Sequence, residues 1–528
     1  MKNARNTLQK IFLMALPLVG CTTIPTSLRD RRLATYNPKI IASDFEYDPM
    51  QTPIASQYKS ELSRDKSVTG ASLIEDGLSA FVIRAAFARM ATKTIDLQTY
   101  IYSNDFSSHV LIGELKKAAD RGVKIRILID DYGTRSDIAD VILLNQHPNI
   151  EVKIFNAVRH RSRILYYPEI LFDFNRLNSR MHNKLFIIDN VAMITGGRNV
   201  ASDYFIPETS SNFSDTDVLF LGAVPRDATE SFNQYWAHHL AVPASVIPKA
   251  VSKRAMQKLE NKFNKIQETS AKNARKYNTI ISWAIREFKM KNFDFCWGHG
   301  QFIADPPEKV EMPKEKKEKY TGEIITTLNK LWHDTKHNIY ISAAYLVPGD
   351  GGMNAVHHSK KNGVDITIIT NSLASTNATT VYGKWEKYRS ELINAGVNVY
   401  EFMSAAENTR DKLYDRDKSR FSIMHSKTIV FDDKISWIGS FNLDPRSAYY
   451  NTENVVIFEC PEFAKKLRDM IMHDTKTSWH VTINNGETTW TGQKKNDCEP
   501  CIYNYDPDTT IFRRILKTIS KIIPEKFV

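Results

Sequence analysis

The sequence contains little cysteine, with five in 528 residues. Cys498 and Cys501 form the motif "CEPC", whereas Cys296 and Cys460 stand alone in the sequence. A zinc site at "CEPC" needs two further ligands, and no second paired Cys or His motif supplies them. Two interpretations remain open for this pair: a small disulfide in an oxidising compartment, or two unpaired structural thiols.

The N-terminus lacks an apolar run long enough to span a membrane. The run "IFLMALPLVG" has ten residues, too few for a helix that crosses hydrocarbon. Basic residues precede it, as in a secretion signal. The tetrapeptide at 18–21 resembles the lipobox of bacterial lipoproteins, in which Cys21 becomes the lipid-bearing first residue. An ordinary signal peptide and a buried start of the fold are the alternatives.

Thr22 follows this cysteine, and by resemblance it gives no signal for retention in the inner membrane. We therefore expect a mature chain that is lipid-anchored in a bacterial cell envelope, on the extracytoplasmic side. The inner leaflet of the outer membrane is the favoured location.

Acidic side chains are fewer than basic ones, 60 against 71, which gives a formal net charge of +11. Such a surface favours polyanions, and anionic lipid headgroups and nucleic acid are the two obvious classes. A soluble protein that is basic for no binding reason is the alternative.

The chain carries an internal duplication. "MHNKLFIIDNVAMITGGRN" begins at Met181, and "MHSKTIVFDDKISWIGSFN" begins at Met424, 243 positions later. Strand and helix patterns around the two stretches repeat at nearly the same offset, and Gly122 and Gly363 are placed to end equivalent helices. Two α/β units of this kind imply two sheets flanked by helices and packed face to face.

A basic, helix-compatible region followed by a Pro- and Lys-rich connector separates the two units. The predicted organisation is a signal peptide at 1–20, a tether at 21–70, an α/β unit at 71–245, a basic helical linker at 246–320, a second α/β unit at 321–480, and a C-terminal tail with an amphipathic helix at 481–528.

Each motif reads His-x-Lys, four residues, Asp, six residues, Gly-x-x-Asn. Alternate residues of a strand point to one side, so His182 and Lys184 should face the same way, as should His425 and Lys427. If the halves meet across a pseudo-two-fold axis, one pocket receives two His, two Lys and two Asn. A lone His on an apolar strand is usually a hydrogen-bonded core residue, but two copies at identical spacing argue against that interpretation.

This inventory suits phosphodiester chemistry without a metal or other cofactor. One neutral imidazole can attack phosphorus and form a covalent phosphohistidine, while the second donates a proton to the departing alkoxide. Lys184, Lys427, Asn199 and Asn442 would bind the nonbridging oxygens, whose charge grows in the transition state. One His cannot be both nucleophile and acid in the same step, which explains the duplication.

These motifs resemble the paired HxKx4D motifs of the phospholipase D superfamily. "DLQTYIY", "KKAADRGVKIRILIDD" and "HPNIEVKIFN" are further similar to bacterial cardiolipin synthases of the C type, over about residues 77–479. The resemblance implies two pseudo-symmetric α/β/α sandwich halves packed around one shared active site. It also implies transfer of a phosphatidyl group between phospholipids, with His182 as nucleophile and His425 as acid/base. The reverse assignment of the two histidines is the alternative that the symmetry of the motifs leaves open.

In that family a carboxylate downstream of each motif contacts its His. The matching positions are Asp217 for His182 and Glu453 for His425, with Asp215 as the nearest rival to Asp217. The motif aspartates Asp189 and Asp432 also count among the family's catalytic residues, although anchoring the strand is an adequate role for them. Gly197 departs from the pattern, because Ser440 stands at the equivalent position.

Two further segments are compatible with a lipid substrate. The segment 159–180 interleaves basic and large apolar residues and suits either a membrane interface or a helix packed on the domain. Near the C-terminus, large apolar residues recur at helical spacing, with basic residues on the remaining faces. We expect that helix to dock on the core, with membrane contact as the alternative.

The leading expectation is a membrane-associated phosphatidyltransferase that makes cardiolipin from phosphatidylglycerol, with phosphatidylethanolamine as a further candidate donor. A phospholipase D that releases phosphatidic acid is the first alternative. A secreted nuclease is a further alternative, but the sequence shows no obvious groove for stacking bases, so we do not expect nucleic acid as a partner. A non-enzymatic scaffold would show degenerate motifs, whereas both motifs are complete. The sequence does not predict the oligomeric state.

Overall fold

Strands and helices alternate in both halves of the chain, as the duplication predicts. The computed structural model of the protein describes residues 35–134, 143–158, 173–205, 211–246, 278–404, 421–494 and 500–522, and the single positions 33, 257, 261 and 264. Cys21, Cys498 and most of the segment 159–180 lie outside these residues, so the predictions that concern them remain predictions.

The strands are β1 (Val68–Ile74), β2 (Thr94–Ile101), β3 (Lys124–Asp130), β4 (Ile150–Phe155), β5 (Leu185–Ile188), β6 (Ala192–Gly196), β7 (Ser211–Ser214), β8 (Asp217–Gly222), β9 (Ala241–Pro243), β10 (Cys296–Ala304), β11 (Asn338–Ala343), β12 (Asp365–Asn371), β13 (Asn398–Phe402), β14 (Phe421–Met424), β15 (Lys427–Phe431), β16 (Ile435–Gly439), β17 (Asn454–Glu459), β18 (Ser478–Asn484), β19 (Glu487–Gly492) and β20 (Cys501–Tyr503). The longer helices with both ends described are α1 (Gly77–Met90), α2 (Phe106–Asp120), α3 (Ala223–Ala237), α4 (Glu323–Asp334), α5 (Gly349–Lys361), α6 (Thr379–Asn394), α7 (Pro461–Thr475) and α8 (Ile511–Ser520).

Local sequence accounts for the helix ends. Asp76 and Asp105 are the N-caps of α1 and α2, and each side chain accepts a hydrogen bond from a backbone amide three residues later. Gly122 follows α2 with φ of 101°, and Gly363 follows α5 with φ of 79°. Glycine adopts this left-handed conformation without a Cβ penalty, so both helices stop there and lead into a strand, as predicted.

The strands of the two halves form one sheet whose order is nearly mirrored about its centre. Pairing runs β9-β4-β3-β2-β5-β6-β8-β1 in the first half and continues β10-β17-β16-β15-β11-β12-β13-β18-β19-β20 in the second. The neighbours β2-β3-β4 and β11-β12-β13 are parallel, and the other pairs are antiparallel. The two predicted sheets are therefore not separate, because β1 and β10 join them edge to edge, from Val68 opposite His299 to Ala71 opposite Cys296.

One face of each half contributes to a shared core. Val218 and Phe220 of the first half lie in the same apolar cluster as Val456 and Phe458 of the second, with side chains of α3 and α7 around them. The ring centroids of Phe220 and Phe458 are 6.1 Å apart. This core fixes the halves against each other and so fixes the position of one motif relative to the other.

Three predicted boundaries are wrong. The predicted tether ends too late, because Ile54, Ala55 and Tyr58 are buried in the core and β1 already starts at Val68. The predicted linker includes β10, a central strand of the sheet. The predicted C-terminal tail continues the sheet through β18, β19 and β20.

A disulfide links the two cysteines that stand alone in the sequence. Cys296 opens β10 and Cys460 is the N-cap of α7, and their Cα atoms are 6.8 Å apart. Their separation of 164 residues hid this pairing from sequence analysis. The bond joins the strand at the centre of the sheet to a helix of the shared core.

The C-terminal helix α8 docks the opposite way from our expectation. Its apolar side chains face outward, and Lys517 and Ser520 are the buried ones. Lys517 forms ion pairs with Asp506 at 2.7 Å and with Glu386 at 3.0 Å, so a polar contact holds the helix. In the part of the chain that the structure describes, no helix has the length and apolar character to cross a bilayer.

Candidate active site

Each motif places its lysine against its own histidine. In the first half, Lys184 Nζ donates to the carbonyl oxygen of His182 at 2.6 Å. In the second half, Lys427 Nζ donates to the carbonyl oxygen of His425 at the same distance. Lys427 Nζ also lies 3.2 Å from His425 Nδ1, and in the first half the ring of Tyr100 lies beside both His182 and Lys184. The two side chains of each pair therefore face the same way, as predicted.

The carboxylate that contacts each histidine comes from the opposite half. His182 Nδ1 donates to Glu453, with 2.8 Å to Oε2, and His425 Nδ1 donates to Asp215, with 2.7 Å to Oδ2. Because an ionised carboxylate only accepts, each contact places the proton on Nδ1 and leaves Nε2 with a lone pair. The pairing is crossed, whereas we had predicted one carboxylate from the same half for each histidine.

Asp217 does not contact a histidine, so its predicted role is wrong, and its rival Asp215 takes that place. Asp217 Oδ2 instead pairs with Arg84 at 2.9 Å and with Arg198 at 3.4 Å, all three being buried. Strand register explains the error. Gly197 N donates to Thr216 O, and Ser440 N donates to Asn454 O, which makes Asp215 the structural equivalent of Glu453.

The departure at Gly197 fits this geometry. A Cβ at this position would lie 2.3 Å from Asp215 Oδ1, so any side chain there would displace the carboxylate. In the second half, Ser440 has room for its hydroxyl and donates it to Glu453 Oε2. Ser447 Oγ donates to the other carboxylate oxygen of Glu453 at 2.8 Å.

Backbone contacts across the pseudo-two-fold axis bring the two motifs into one buried pocket. His182 N donates to Thr452 O at 2.8 Å, and His425 N donates to Ser214 O at 2.7 Å. Strands β7 and β14 pair in parallel immediately before Asp215 and His425. Lys184 N also donates across the axis, to Asn454 Oδ1. His182 and His425 are 8% and 5% exposed.

Burial and the lysines of both halves lower the pKa values of both histidines. Burial lowers the pKa of His182 well below its usual range, and the charges of Lys184 and Lys427 lower it further. Burial and Lys427 lower the pKa of His425 to about 3, against the opposing effect of Asp215. The empty site therefore holds two neutral imidazoles in a positive field.

Burial also lowers the pKa of Lys184 to about 7 and that of Lys427 to about 8. The carboxylates differ from each other. Burial raises the pKa of Glu453, whereas hydrogen bonding to His425 and the nearby cations outweigh burial and lower the pKa of Asp215. A bound anion would offset the lysine charges, so the charge of the pocket suits an anionic ligand.

The motif aspartates are anchors rather than members of the pocket. Asp189 accepts hydrogen bonds from the amides of three consecutive residues, 92–94, at 2.8 to 3.2 Å. Asp432 does the same for residues 336–338, at 2.7 to 3.1 Å. Asp189 thus fixes the start of β2, and Asp432 fixes the start of β11. The two aspartates anchor the strands, and the prediction that they are catalytic residues is wrong.

The motif asparagines are buried, and their contacts differ. Asn199 Oδ1 accepts from Ile101 N at 3.1 Å, and its amide donates to Tyr204 Oη at 2.9 Å. Asn199 thereby holds the Tyr204 ring, whose centroid is 5.2 Å from the ring of His425. Asn442 Oδ1 has no hydrogen-bond partner among the described residues. Contact of either asparagine with a phosphate stays a prediction.

Sequence reasoning missed a buried Asp–Lys pair behind Glu453. Asp305 Oδ2 accepts from Glu453 N at 3.1 Å and from Lys309 Nζ at 2.8 Å. Lys309 also donates to Ser447 O, so the pair orients the carboxylate that contacts His182. Both residues fall in the predicted linker. The local sequence, Asp-Pro-Pro-Glu-Lys, does not indicate this role.

An apolar cavity of about 620 Å³ adjoins the second motif. Asp444, two residues after Asn442, lines it, and burial raises the pKa of Asp444 to about 6 while Lys427 opposes the rise. The remaining wall is mostly apolar and includes Ile325, Leu328, Trp332, Leu346 and Phe441.

Among the described residues, the grouping with metal-ligand spacing contains no residue of either motif. It consists of His238, His239 and Glu311, and His239 and Glu311 are exposed.

Comparison with known proteins places the chain in a family. Residues 86–236 and 328–475 match the family described as "Cardiolipin synthase, PLD-like domain". The chain is 40% identical over 501 residues to an "uncharacterized protein" of Helicobacter pylori strain 26695, covering 93% of this chain and 96% of that one. It is 30% identical over 480 residues to cardiolipin synthase C of Escherichia coli K12, covering 86% of this chain and 95% of the relative.

A solved structure supports the fold. Phosphatidylserine synthase of Haemophilus influenzae Rd KW20 matches with a TM-score of 0.55 and 10% identity, covering 89% of this chain and all of that one. The predicted fold class is confirmed. Because the family match covers both motifs and more than half of the residues, the chain belongs to the phospholipase D superfamily, in the family of cardiolipin synthase PLD-like domains.

Proposed function

We propose that the protein is a phosphatidyltransferase that makes cardiolipin from phosphatidylglycerol and a second phospholipid, through a covalent phosphatidyl-histidine. The observation that carries this proposal is the crossed pair of His–carboxylate contacts beside two lysines in one buried pocket. The name of the relative in Escherichia coli supports cardiolipin as the product.

In the first step, His182 Nε2 attacks phosphorus with its lone pair, and the bond from phosphorus to the departing alcohol oxygen breaks. His425 Nε2–H gives its proton to that oxygen, so a neutral alcohol leaves. In the second step, His425 takes the proton of the acceptor hydroxyl, whose oxygen attacks phosphorus while the P–N bond to His182 breaks. Both imidazoles return to their starting states.

Electrostatics supports this division of roles. In the empty site His425 is neutral, and a phosphodiester anion offsets the charges of Lys184 and Lys427, which raises the pKa of His425. Asp215, whose pKa is lowered, stays ionised beside His425 and stabilises its protonated form. The lysines then contact the nonbridging oxygens as their charge grows.

Two features favour a lipid over a nucleic acid as substrate. The apolar cavity beside Asp444 offers space for a hydrocarbon chain rather than for a charged polynucleotide. The outward apolar face of α8 adds a second apolar surface. We include phosphatidylethanolamine as a candidate donor, because departure of its alcohol needs the same proton from His425.

We also propose a location. The lipobox-like tetrapeptide before Cys21 supports a lipid-anchored protein on the extracytoplasmic side of a bacterial envelope, with the inner leaflet of the outer membrane favoured. The disulfide between Cys296 and Cys460 supports the same side, because disulfides persist in oxidising compartments.

Product analysis tests the proposal. Purified protein is incubated with vesicles of phosphatidylglycerol, with and without phosphatidylethanolamine, and lipids are identified by mass spectrometry. We expect cardiolipin from the wild type and from His239→Ala, a control at an exposed histidine, and none from His182→Ala or His425→Ala. Phosphatidic acid without cardiolipin would show that water is the acceptor, and DNA cleavage that depends on His182 would show a nuclease.

The covalent intermediate has its own readout. His425 supplies the leaving-group proton in the first step and takes the acceptor proton in the second. His425→Ala is therefore incubated with a short-chain phosphatidyl ester of p-nitrophenol, whose leaving group departs without a proton, and it should accumulate a phosphatidyl adduct. Intact-mass measurement should show the adduct, and peptide mapping should place it on His182. An adduct on another residue would exclude this mechanism.

A further inference from the structure

Helix α8 presents an apolar face to the outside of the molecule. The structure shows thirteen exposed large apolar side chains among its described residues, and eight of them lie between Ile502 and Ile522. On or next to α8 they are Ile511, Phe512, Ile515, Leu516, Ile519 and Ile522, between 39% and 84% exposed. Leaving such a side chain in water costs about 1.5 to 3 kcal/mol relative to burying it, so this surface calls for a covering partner.

The polar side of the same helix is fixed to the protein. Lys517 pairs with Asp506 and Glu386, and Lys521 Nζ pairs with the other oxygen of Glu386 at 2.6 Å. Ser520 packs against Gly383 of α6, where a Cβ would clash with its hydroxyl. These contacts prevent the helix from rotating its apolar face inward, so the outward orientation is built into the fold.

A chain of contacts connects α8 with the active site. Arg513 donates to the carbonyl oxygens of Ala374 and Thr376, in the loop after β12. The next residue, Asn377, accepts from Tyr345 Oη at 2.6 Å, and the Tyr345 ring centroid is 6.4 Å from that of His425. The apolar face is therefore held at the end of the molecule where the second motif lies.

The charge of α8 indicates which kind of partner covers its apolar face. Residues 511–521 include Arg513, Arg514, Lys517 and Lys521 and no acidic residue. Asp506 and Glu386 neutralise Lys517 and Lys521, whereas Arg513 and Arg514 donate to backbone carbonyl oxygens and so keep their charge. A second copy of the same face would bring like charges together across a two-fold axis. An anionic lipid surface instead matches both properties, since its headgroups attract the cations and its acyl region covers the apolar side chains.

We propose that α8 lies in the boundary between headgroups and acyl chains of an anionic phospholipid bilayer and holds the active-site end of the protein against that surface. This arrangement would bring the pocket close to a substrate that is embedded in the bilayer. Only the activity experiment below rests on the proposed function; the binding experiments do not. The apolar side chains insert, and the charges of Arg513 and Arg514 beside them attract the phosphates of the headgroups.

Vesicle binding tests the proposal with the full chain. The triple variant Phe512→Ser/Ile515→Ser/Ile519→Ser removes exposed side chains only, and Trp283→Ser/Met290→Ser is the control at exposed apolar residues elsewhere. We expect the triple variant to partition at least tenfold more weakly onto phosphatidylglycerol vesicles, and the control to bind as the wild type does. Binding of the wild type should weaken with added salt and on vesicles of phosphatidylcholine alone.

A local readout separates α8 from the predicted N-terminal lipid, which is the same in every variant. Hydrogen exchange of peptides covering 511–520 should slow when anionic vesicles are added to the wild type. Unchanged exchange there, together with equal partition of the triple variant, would overturn the proposal. Loss of a dimer in the triple variant, with vesicle binding unchanged, would overturn it in favour of a second copy.

Activity distinguishes this proposal from the proposed function. With a short-chain phospholipid below its micelle concentration, the triple variant should turn over as the wild type does, whereas on vesicles it should be at least tenfold slower. If the wild type has no activity on either substrate, the proposed function fails while the vesicle-binding result still decides the role of α8.

Discussion

The two motif histidines contact carboxylates of different length. Asp215 follows His182 by 33 positions and Glu453 follows His425 by 28, so the intervening segment is five residues longer in the first half. The shorter carboxylate reaches His425 because Gly197 leaves room for it, and the longer one is held by Ser440. The pseudo-symmetric sites are thus not equivalent, which agrees with different roles for the two imidazoles.

A matched pair of substitutions separates Asp215 from Asp217. Asp215→Asn should lower turnover at least about 100-fold with little effect on stability, because His425 loses the charge that stabilises its protonated form. Asp217→Asn should lower the free energy of unfolding by about 3 to 5 kcal/mol, because it leaves Arg84 and Arg198 buried without a counter-charge. Turnover of a short-chain lipid and chemical denaturation measure the two effects, and exchanged phenotypes would contradict the assignment.

The pocket lysines predict opposite pH trends for activity and stability. Lys184 and Lys427 have pKa values of about 7 and 8 in the folded protein, against 10.5 for an ordinary lysine. As pH rises through 7 to 8 they lose charge, so kcat/KM should fall. Between these values and 10.5 the unfolded chain binds more protons than the folded one, so this contribution to stability should rise with pH.

The comparison with Lys184→Met isolates this effect from other titrating groups. Subtracting the stability of the variant from that of the wild type at each pH should give a difference that grows in favour of the wild type from pH 7 to pH 10. A flat difference would show that Lys184 has an ordinary pKa in the folded protein.

Sequence alone located four of the pocket residues, because His and Lys repeat at fixed spacing on both halves. It named Glu453 but assigned it to the wrong histidine. It also placed Asp217 ahead of Asp215, since both lie on the same face of an extended segment and only strand register separates them. It also did not locate Asp305, whose role depends on a neighbour 148 residues away.

At the scale of elements, β10 shows why the linker was misjudged. "CWGHGQFIA" has two glycines and little apolar alternation, and most of its residues are partly exposed. Gly298 and Gly300 are needed there, because a Cβ at either would meet Glu459 O or Val224. The strand is specified by close approach to its neighbours, a property that periodicity does not report.

The disulfide at the start of β10 should contribute to stability. The pair Cys296→Ser/Cys460→Ser should lower the free energy of unfolding by about 2 to 5 kcal/mol, because the loop it closes is long. Turnover of the folded protein should remain near that of the wild type. Denaturation with and without reductant measures this, and a wild type insensitive to reductant would contradict it; Cys501→Ser is the control.

At the scale of the whole molecule, the duplication predicted two halves and one site. It did not predict that β1 and β10 join the sheets, because an edge contact between halves leaves no repeat in the sequence. The apolar cluster with α3 and α7 holds the two halves of one chain together. We therefore expect each pocket to be formed by the two motifs of a single chain.

Mixing two inactive variants tests this arrangement. His182→Ala and His425→Ala chains, combined and co-purified, should stay inactive, because each chain completes its own pocket and neither retains both imidazoles. Recovery of a quarter or more of the wild-type rate would show that pockets form between two chains. The measurement is cardiolipin formation at equal total protein concentration.

The crossed carboxylates have a consequence for how this enzyme can fail. A hinge opening of about an ångström between the halves would detach both imidazoles from their partners at once, and a misplacement of that size costs a catalyst about 100-fold. Partial unfolding that separates the halves should therefore impair both steps of the proposed reaction together, because each half supplies the carboxylate for the imidazole of the other.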